Sequence, residues 1–269
     1  GKTLAVWELL LTEFDIKAVF FNKDYEPYAI KRDSAICELL ETNNAIPFSF
    51  KDQVIFEEKE ITKADGLPYT VYTPFKNKWL EKYKSMAPVL EYDATDVFSN
   101  FHKCDFVFPS LEQIGFEKSP IKVKPHNLKF IANYQDIRDF PALDQTSYLS
   151  PHLRFGTVSI RKLVNWAFHK NDVFLSELIW REFFMQILFS FPKVVTQNFK
   201  TAYDGIKWRN NEADFQRWCS GTTGYPMVDA GMRQLNETGY MHNRVRMVAA
   251  SFLCKHLLIQ WQWGEAYFA

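Results

Sequence analysis

Residues Phe174–Phe191 read as one long helix, apolar almost throughout and stopped by Pro192. The stretch Glu177-Leu-Ile-Trp180-Arg181-Glu182-Phe-Phe nevertheless sets charged side chains into it. On a helix, Glu177, Trp180, Arg181 and Phe184 fall at i, i+3, i+4 and i+7 and share one face. A carboxylate and a guanidinium on an apolar face are costly unless something pairs with them. That partner is either another part of the protein or a buried polar ligand. A second segment, Tyr240-Met-His242-Asn243-Arg244-Val-Arg246-Met247, makes the same demand, with Asn243 and Met247 one turn apart.

The chain around these helices changes character along its length. Leu4–Phe14 reads as a short apolar helix, Ile16–Phe21 as a buried strand, Tyr28–Thr42 as an amphipathic helix, and Ile46–Phe50 and Val54–Phe56 as strands. This alternation predicts an α/β layer with a parallel sheet over residues 1–75. Two or three strands are few for an open sheet, so the layer reads as lacking its opening strands. Residues 76–125 read as a connector, punctuated by Pro88, Pro109, Pro120 and Pro125, with one short helix near Lys76–Met86. From 126 to 269 the pattern is helical. Ser150-Pro151 predicts a helix start, Ser159 a cap for Ile160–His169, Gly239 the end of Pro226–Thr238, and Asn243–Gln260 the last long helix.

Composition excludes some classes and leaves others open. Net charge is zero, so bulk attraction to polyanions is not indicated, but the charge is unevenly spread. Residues 1–125 hold 16 Lys and Arg against 20 Asp and Glu, and residues 126–269 hold 16 against 12, which puts a polyanion partner on the second half. Cys37, Cys104, Cys219 and Cys254 lack CxxC spacing and read as free thiols of a cytoplasmic protein. No apolar run is long enough for a membrane span, and no signal peptide is visible. The six histidines have no ligand spacing, so no metal is expected, and there is no Gly-rich phosphate loop. The 25 Phe, 12 Tyr and 8 Trp suit either a flat ring-shaped ligand or bulky core packing.

Three constellations carry chemistry. Asp144-Gln-Thr146-Ser147-Tyr148-Leu149-Ser150-Pro151 leads hydroxyls into a helix N-terminus, which suits a phosphate or is an ordinary cap. Arg181 either completes a diphosphate clamp or pairs with Glu177 one turn away. Glu177, Trp180, Asn243 and Met247 combine a carboxylate, an indole, a carboxamide and a thioether, enough to recognise a heterocycle. Core filling by Trp180 and Met247 and helix capping by Asn243 are the plainer alternatives. Trp208 and Trp261 are indoles that either pack or pass an electron.

Taken together these residues resemble the DNA photolyase/cryptochrome family. The matching text is Tyr134, Arg138-Asp139-Phe140-Pro141, Thr146-Ser147, Leu149-Ser150-Pro151-His-Leu, Glu177-Leu-Ile-Trp180-Arg181-Glu182-Phe, Thr223-Gly-Tyr-Pro with Val228-Asp229-Ala, Met232-Arg233-Gln-Leu, Met241-His-Asn243-Arg244 with Arg246-Met247, and Trp261 with Gly264-Glu265 and Tyr267-Phe268. The resemblance covers essentially the whole chain, most strongly from 126 to 269, and is nearest to a class I cyclobutane pyrimidine dimer photolyase. It implies a partial Rossmann-like α/β antenna domain followed by an all-α domain binding FAD and DNA. Tyr134, Thr146, Ser147, Tyr148, Leu149, Ser150, Phe174 and Arg246 are then FAD-side residues, with Arg181 at the diphosphate. Glu177, Trp180, Asn243 and Met247 hold a flipped pyrimidine dimer, and Arg138 and Arg244 contact the DNA backbone. Trp208 and Trp261 belong to the photoreduction chain. The implied activity is light-driven repair by electron transfer from the flavin, on damaged DNA, without a membrane or an obligate protein partner.

The Asn243-Arg244 pair favours the cyclobutane-dimer enzyme over the (6-4) type, which places a His pair near the lesion where this chain has the single His242. Tyr28 and Ala29 stand where an Asn-Glu pair is expected and Val195 where a Lys is, which counts against a folate antenna. The family's next segment, beyond Ala269, carries an Asp for Arg246, an Asn facing the flavin and the innermost Trp. The sequence therefore reads as a truncated photolyase, expected to bind FAD weakly or not at all and not to repair DNA by itself. A cryptochrome-type flavin photoreceptor and an inactive fragment without cofactor are the competing readings.

Overall fold

A computed structural model describes residues 2–86, 95–103 and 105–269. Its regular elements are α1 (Thr3–Glu13), β1 (Ala18–Asn22), α2 (Pro27–Thr42), β2 (Ile46–Phe50), α3 (Tyr72–Ser85), α4 (Tyr134–Ile137), α5 (Leu149–Arg154), α6 (Ile160–Phe168), α7 (Asp172–Ser190), α8 (Glu212–Ser220), α9 (Pro226–Thr238), α10 (Asn243–Lys255) and α11 (Trp261–Phe268). The chain divides into two compact units. The first comprises 1–87, 128–136 and 149–206, and the second 88–127, 137–148 and 207–269.

In the first unit β1 and β2 pair in parallel, from Ala18 opposite Ile46 to Asn22 opposite Phe50, with α2 as the crossover. The βαβ unit follows from sequence: Pro27 at the first position starts α2, and Ile36 and Leu40, one turn apart, are buried with Ala45 against Trp7, Leu11, Ile16 and Val19. The helix expected near Lys76–Met86 is α3, which begins four residues earlier. It buries Phe75, Trp79 and Tyr83. The predicted strand Val54–Phe56 does not form. All three residues are buried, but Ile55 and Phe56 donate their backbone N–H groups to the Glu182 carboxylate instead of a sheet ladder.

Ser159 caps α6 as expected, its hydroxyl accepting from the Lys162 N–H. Helix α5 starts at Leu149, so Ser150 lies inside it rather than at the cap. In the second unit a core of Trp218, Val228, Met232, Met241, Val245, Ala249, Phe252 and Leu253 joins α8, α9 and α10. The helix predicted to run to Gln260 ends at Lys255, and Trp261 opens the separate α11. Leu258 adopts a left-handed φ of 52° between them, and its carbonyl accepts from the Arg209 N–H at 2.8 Å. Among the described residues no helix is long and apolar enough to cross a membrane, and no His, Cys, Asp or Glu group could hold a metal ion.

Candidate functional site

Helix α7 positions the first unit's share of the site. Its cap, Asn171, accepts from the N–H groups of Val173 and Phe174 at 3.0 and 2.9 Å. The same side chain donates to Ala132 O and Gln135 Oε1, which holds the Ile131–Asn133 turn against the start of the helix. The result brings together two of the predicted FAD-side residues: Tyr134 meets buried Phe174 edge to face at 5.3 Å. Two turns along, Trp180 stacks on Tyr72 with ring centroids 3.5 Å apart and planes within 9°. Tyr72 is fixed in turn by its hydroxyl, which donates to Ser176 O at 2.7 Å. Its pKa is pushed up to about 12, first by burial and further by the neighbouring Glu177 charge. Glu177 is half-buried one turn from Trp180 and near enough for its charge to act on Tyr72.

Arg181 does not take Glu177 as its partner. Its Nη1 donates to the backbone oxygen of Gln53 at 2.6 Å, and burial lowers its pKa. The buried carboxylate beside it is the residue that sequence reasoning passed over. Glu182, 3% exposed, accepts from Ile55 N at 2.7 Å, Phe56 N at 3.1 Å and Trp79 Nε1 at 2.8 Å. Burial pushes its pKa up to about 7, against the opposing pull of those three donors. The signal was present, since a charged residue on an apolar helix demands a partner, but only the fold shows that the partner is the 55–56 backbone. Leu149 is buried and Ser150 exposed at the start of α5.

The second unit carries the remaining residues. Asp144 and Tyr148 both have left-handed φ values, 47° and 53°, which makes the 144–148 segment a tight turn. The Tyr148 hydroxyl donates to Asp144, Lys124 Nζ donates to the Tyr148 hydroxyl at 2.9 Å, and the ring packs on Tyr240 at 4.8 Å. Asp144 is held below the usual carboxylate range, chiefly by that phenol. Ser147 accepts the Asn127 N–H at 2.8 Å. The Thr146 hydroxyl is buried beside the Tyr240 phenol with no hydrogen bond of regular geometry.

On α10 the cap is His242, whose Nδ1 accepts from the Arg244 N–H at 3.2 Å, so the capping role open to Asn243 falls to its neighbour. Asn243 Nδ2 and Arg244 Nη1 both approach Met247 Sδ, at 3.9 and 3.8 Å, and these three form one exposed face. Arg244 Nε also pairs with Asp139 at 2.6 Å, with Arg138 3.8 Å from the same carboxylate. Asp139, whose only sequence signal was its place beside Arg138, thereby groups both predicted DNA-contact arginines. Arg246 lies over the Phe268 ring at 4.7 Å, its pKa lowered by burial. Trp208 and Trp261 are half-buried in this unit.

Taken separately, Arg181 in the first unit and Arg246 in the second are each half-buried and in ion-pair contact with no carboxylate among the described residues, which suits an anionic group at either place. The buried Thr146 hydroxyl offers a nucleotide a further polar contact.

These features meet their counterpart in known proteins. Residues 174–269 match the family described as the FAD binding domain of DNA photolyase, and residues 1–98 match the family described as DNA photolyase. The chain is thus a protein with an α/β layer and a photolyase-type FAD-binding domain. It belongs to the DNA photolyase/cryptochrome family. It is 36% identical to the deoxyribodipyrimidine photo-lyase of Halobacterium salinarum, over 100% of this chain and 61% of that protein. The crystal structure of a bacterial class III photolyase from Agrobacterium tumefaciens superposes with a TM-score of 0.76 at 30% identity, covering 100% of this chain and 60% of that one. An archaeal photolyase from Sulfolobus tokodaii, solved with two FAD molecules, gives 0.74 at 34% identity, covering 97% and 60%. The chain therefore spans about three fifths of the length of these relatives.

Proposed function

We propose that this protein takes part in light-driven, FAD-dependent repair of cyclobutane pyrimidine dimers in DNA. The observation that carries the reading is Glu177 on α7, one turn from Trp180, which stacks on Tyr72 of α3; both α7 residues lie within the span matched by a photolyase FAD-binding domain. A carboxylate beside a flat aromatic surface can accept hydrogen bonds from a pyrimidine edge while the ring packs on the indole. FAD, when bound, reduced and excited by light, supplies the electron that splits the dimer.

The chain's own residues do the rest. In the first unit Tyr134 and Phe174 offer an apolar wall and Arg181 a cation for the diphosphate. In the second, Thr146, Ser147 and Tyr148 offer hydroxyls, Asn243 and Met247 a lesion-facing amide and thioether, and Arg138 and Arg244 cations for phosphates. Trp208 and Trp261 serve photoreduction in this reading. It takes residues 1–75 as the antenna-type domain, 76–125 as the connector and 126–269 as the FAD- and DNA-binding domain. The protein acts in the cytoplasm, where Cys37, Cys219 and Cys254, all free, stay reduced.

The test is loss of dimers from an oligonucleotide under blue light, with a dark control and FAD present. Light-dependent restoration of the bases supports repair. Flavin binding and photoreduction without restoration would move the protein to the cryptochrome-type photoreceptor reading.

A further inference from the structure

Four backbone groups on Gln53, Ile55 and Phe56 are held by side chains of one helix. Arg181 Nη1 donates to Gln53 O at 2.6 Å, Glu182 accepts from Ile55 N and Phe56 N, and Gln186 Nε2 donates to Phe56 O at 3.0 Å. Helix α6 adds a fifth grip, Arg161 Nη1 to Asp52 O at 2.6 Å. Glu182 is the centre of this set. Its two oxygens receive three N–H donors, the third from Trp79 of α3, and so tie the segment to α3 as well as to α7. Val54, Ile55 and Phe56 are each at most 3% exposed, which leaves the segment no slack.

Arg181 behaves differently from its neighbours in the grip. It spends one N–H on a neutral carbonyl and keeps the rest of its five-donor fork. The direction of that fork depends on where Gln53 O lies, and Gln53 is two residues from the Ile55 N–H that Glu182 holds.

We infer that Glu182 is a positioning residue: by pinning residues 55–56 onto α7 it fixes the Gln53 carbonyl, and through it aims the Arg181 guanidinium at the flavin diphosphate. This rests on the proposed reading of Arg181 as a diphosphate contact. Once ionised, above about pH 7, Glu182 is suited to the task because a carboxylate accepts several N–H bonds at once from two backbone groups and an indole. A glutamine presents one acceptor oxygen where three donors converge, so Glu182→Gln keeps the volume and loosens the grip.

The test is a double-mutant cycle on flavin binding by the full chain, read by quenching of flavin fluorescence, with FAD and riboflavin as probes. Glu182→Gln is expected to weaken FAD about tenfold and to leave riboflavin, which has no diphosphate, within about twofold. In an Arg181→Ala background the same substitution should no longer change FAD affinity. Trp79→Phe, which removes one of the three donors and keeps the ring, should shift FAD affinity in the same direction by a smaller factor. A Glu182→Gln effect equal for FAD and riboflavin, or equal with and without Arg181, would show a merely structural role and overturn the inference alone. An Arg181→Ala variant with undiminished FAD affinity would overturn the reading of Arg181, and the inference with it.

Discussion

Glu177 and Glu182 stand five residues apart on α7 and illustrate two uses of a carboxylate on an apolar helix. Glu177 is half-buried and close enough to Tyr72 for its charge to help raise the phenol's pKa. Loss of a charged hydrogen-bond partner costs roughly 1.5–3 kcal/mol. Glu177→Ala is therefore expected to lower dimer affinity or repair yield by about 10- to 100-fold with little change in FAD content, and a variant that repairs normally would remove Glu177 from the lesion site. Glu182 is fully enclosed, and burial raises its pKa from 4.5 to about 7. A raised carboxylate pKa means that the fold favours the protonated form. The stability this contributes is complete below about pH 4.5 and is lost as pH rises through about 7. A glutamine does not titrate, so from pH 4.5 to 8 the wild type should lose roughly 3 kcal/mol relative to Glu182→Gln. Urea unfolding of both proteins at the two pH values measures this, and a constant difference would mean that Glu182 does not titrate in this range.

Helix α9 shows how closely the elements of the second unit approach. A Cβ built on Gly231 would lie 2.4 Å from Val245 Cγ1 of α10, with Met241 Sδ at 3.4 Å, in the centre of the buried core. Both neighbours are buried and have little freedom to withdraw, so Gly231→Ala is expected to cost about 1–3 kcal/mol through overpacking. Thermal unfolding of the variant checks it, and an unchanged or raised melting temperature would show that α9 and α10 can separate freely. Ser159 at a helix start, the Pro192 stop and the apolar spacing of α2 are signals the sequence carries at this scale. The failures at this scale have a common cause. Val54–Phe56 has the composition of a strand, but its N–H groups are claimed by a carboxylate more than a hundred residues away. The break between α10 and α11 falls on Leu258, a residue with no intrinsic preference for positive φ. It is held there by the Arg209 N–H, while Asn210 Oδ1 accepts the Gln260 N–H at 2.9 Å. Local sequence reports local preference, and both sites are decided by distant partners.

For the whole molecule the sequence was most legible in its long motifs, which carry the family. The two compact units interleave along the chain, with Glu177 and Trp180 in the first and Asn243 and Met247 in the second. Charge is the other whole-molecule property with a consequence for function. The chain is neutral overall, but residues 126–269 carry an excess of four positive charges. Within that half, Arg138 and Arg244 converge on the exposed carboxylate of Asp139. An exposed ion pair contributes little to stability, so exchanging Asp139 for a DNA phosphate costs the protein little. Phosphate contacts release counterions and make affinity fall steeply with salt. Binding of dimer-containing DNA should therefore weaken as salt rises. Arg244→Ala should weaken binding uniformly across sequences and reduce the slope of log affinity against log salt by about 1. Asp139→Asn should act in the opposite sense, because it removes a negative charge that competes with the phosphate for the same guanidinium. Titrations of wild type and both variants at several salt concentrations decide the matter: a salt-independent affinity, or an Arg244→Ala slope equal to that of the wild type, would take the DNA backbone away from this pair of arginines.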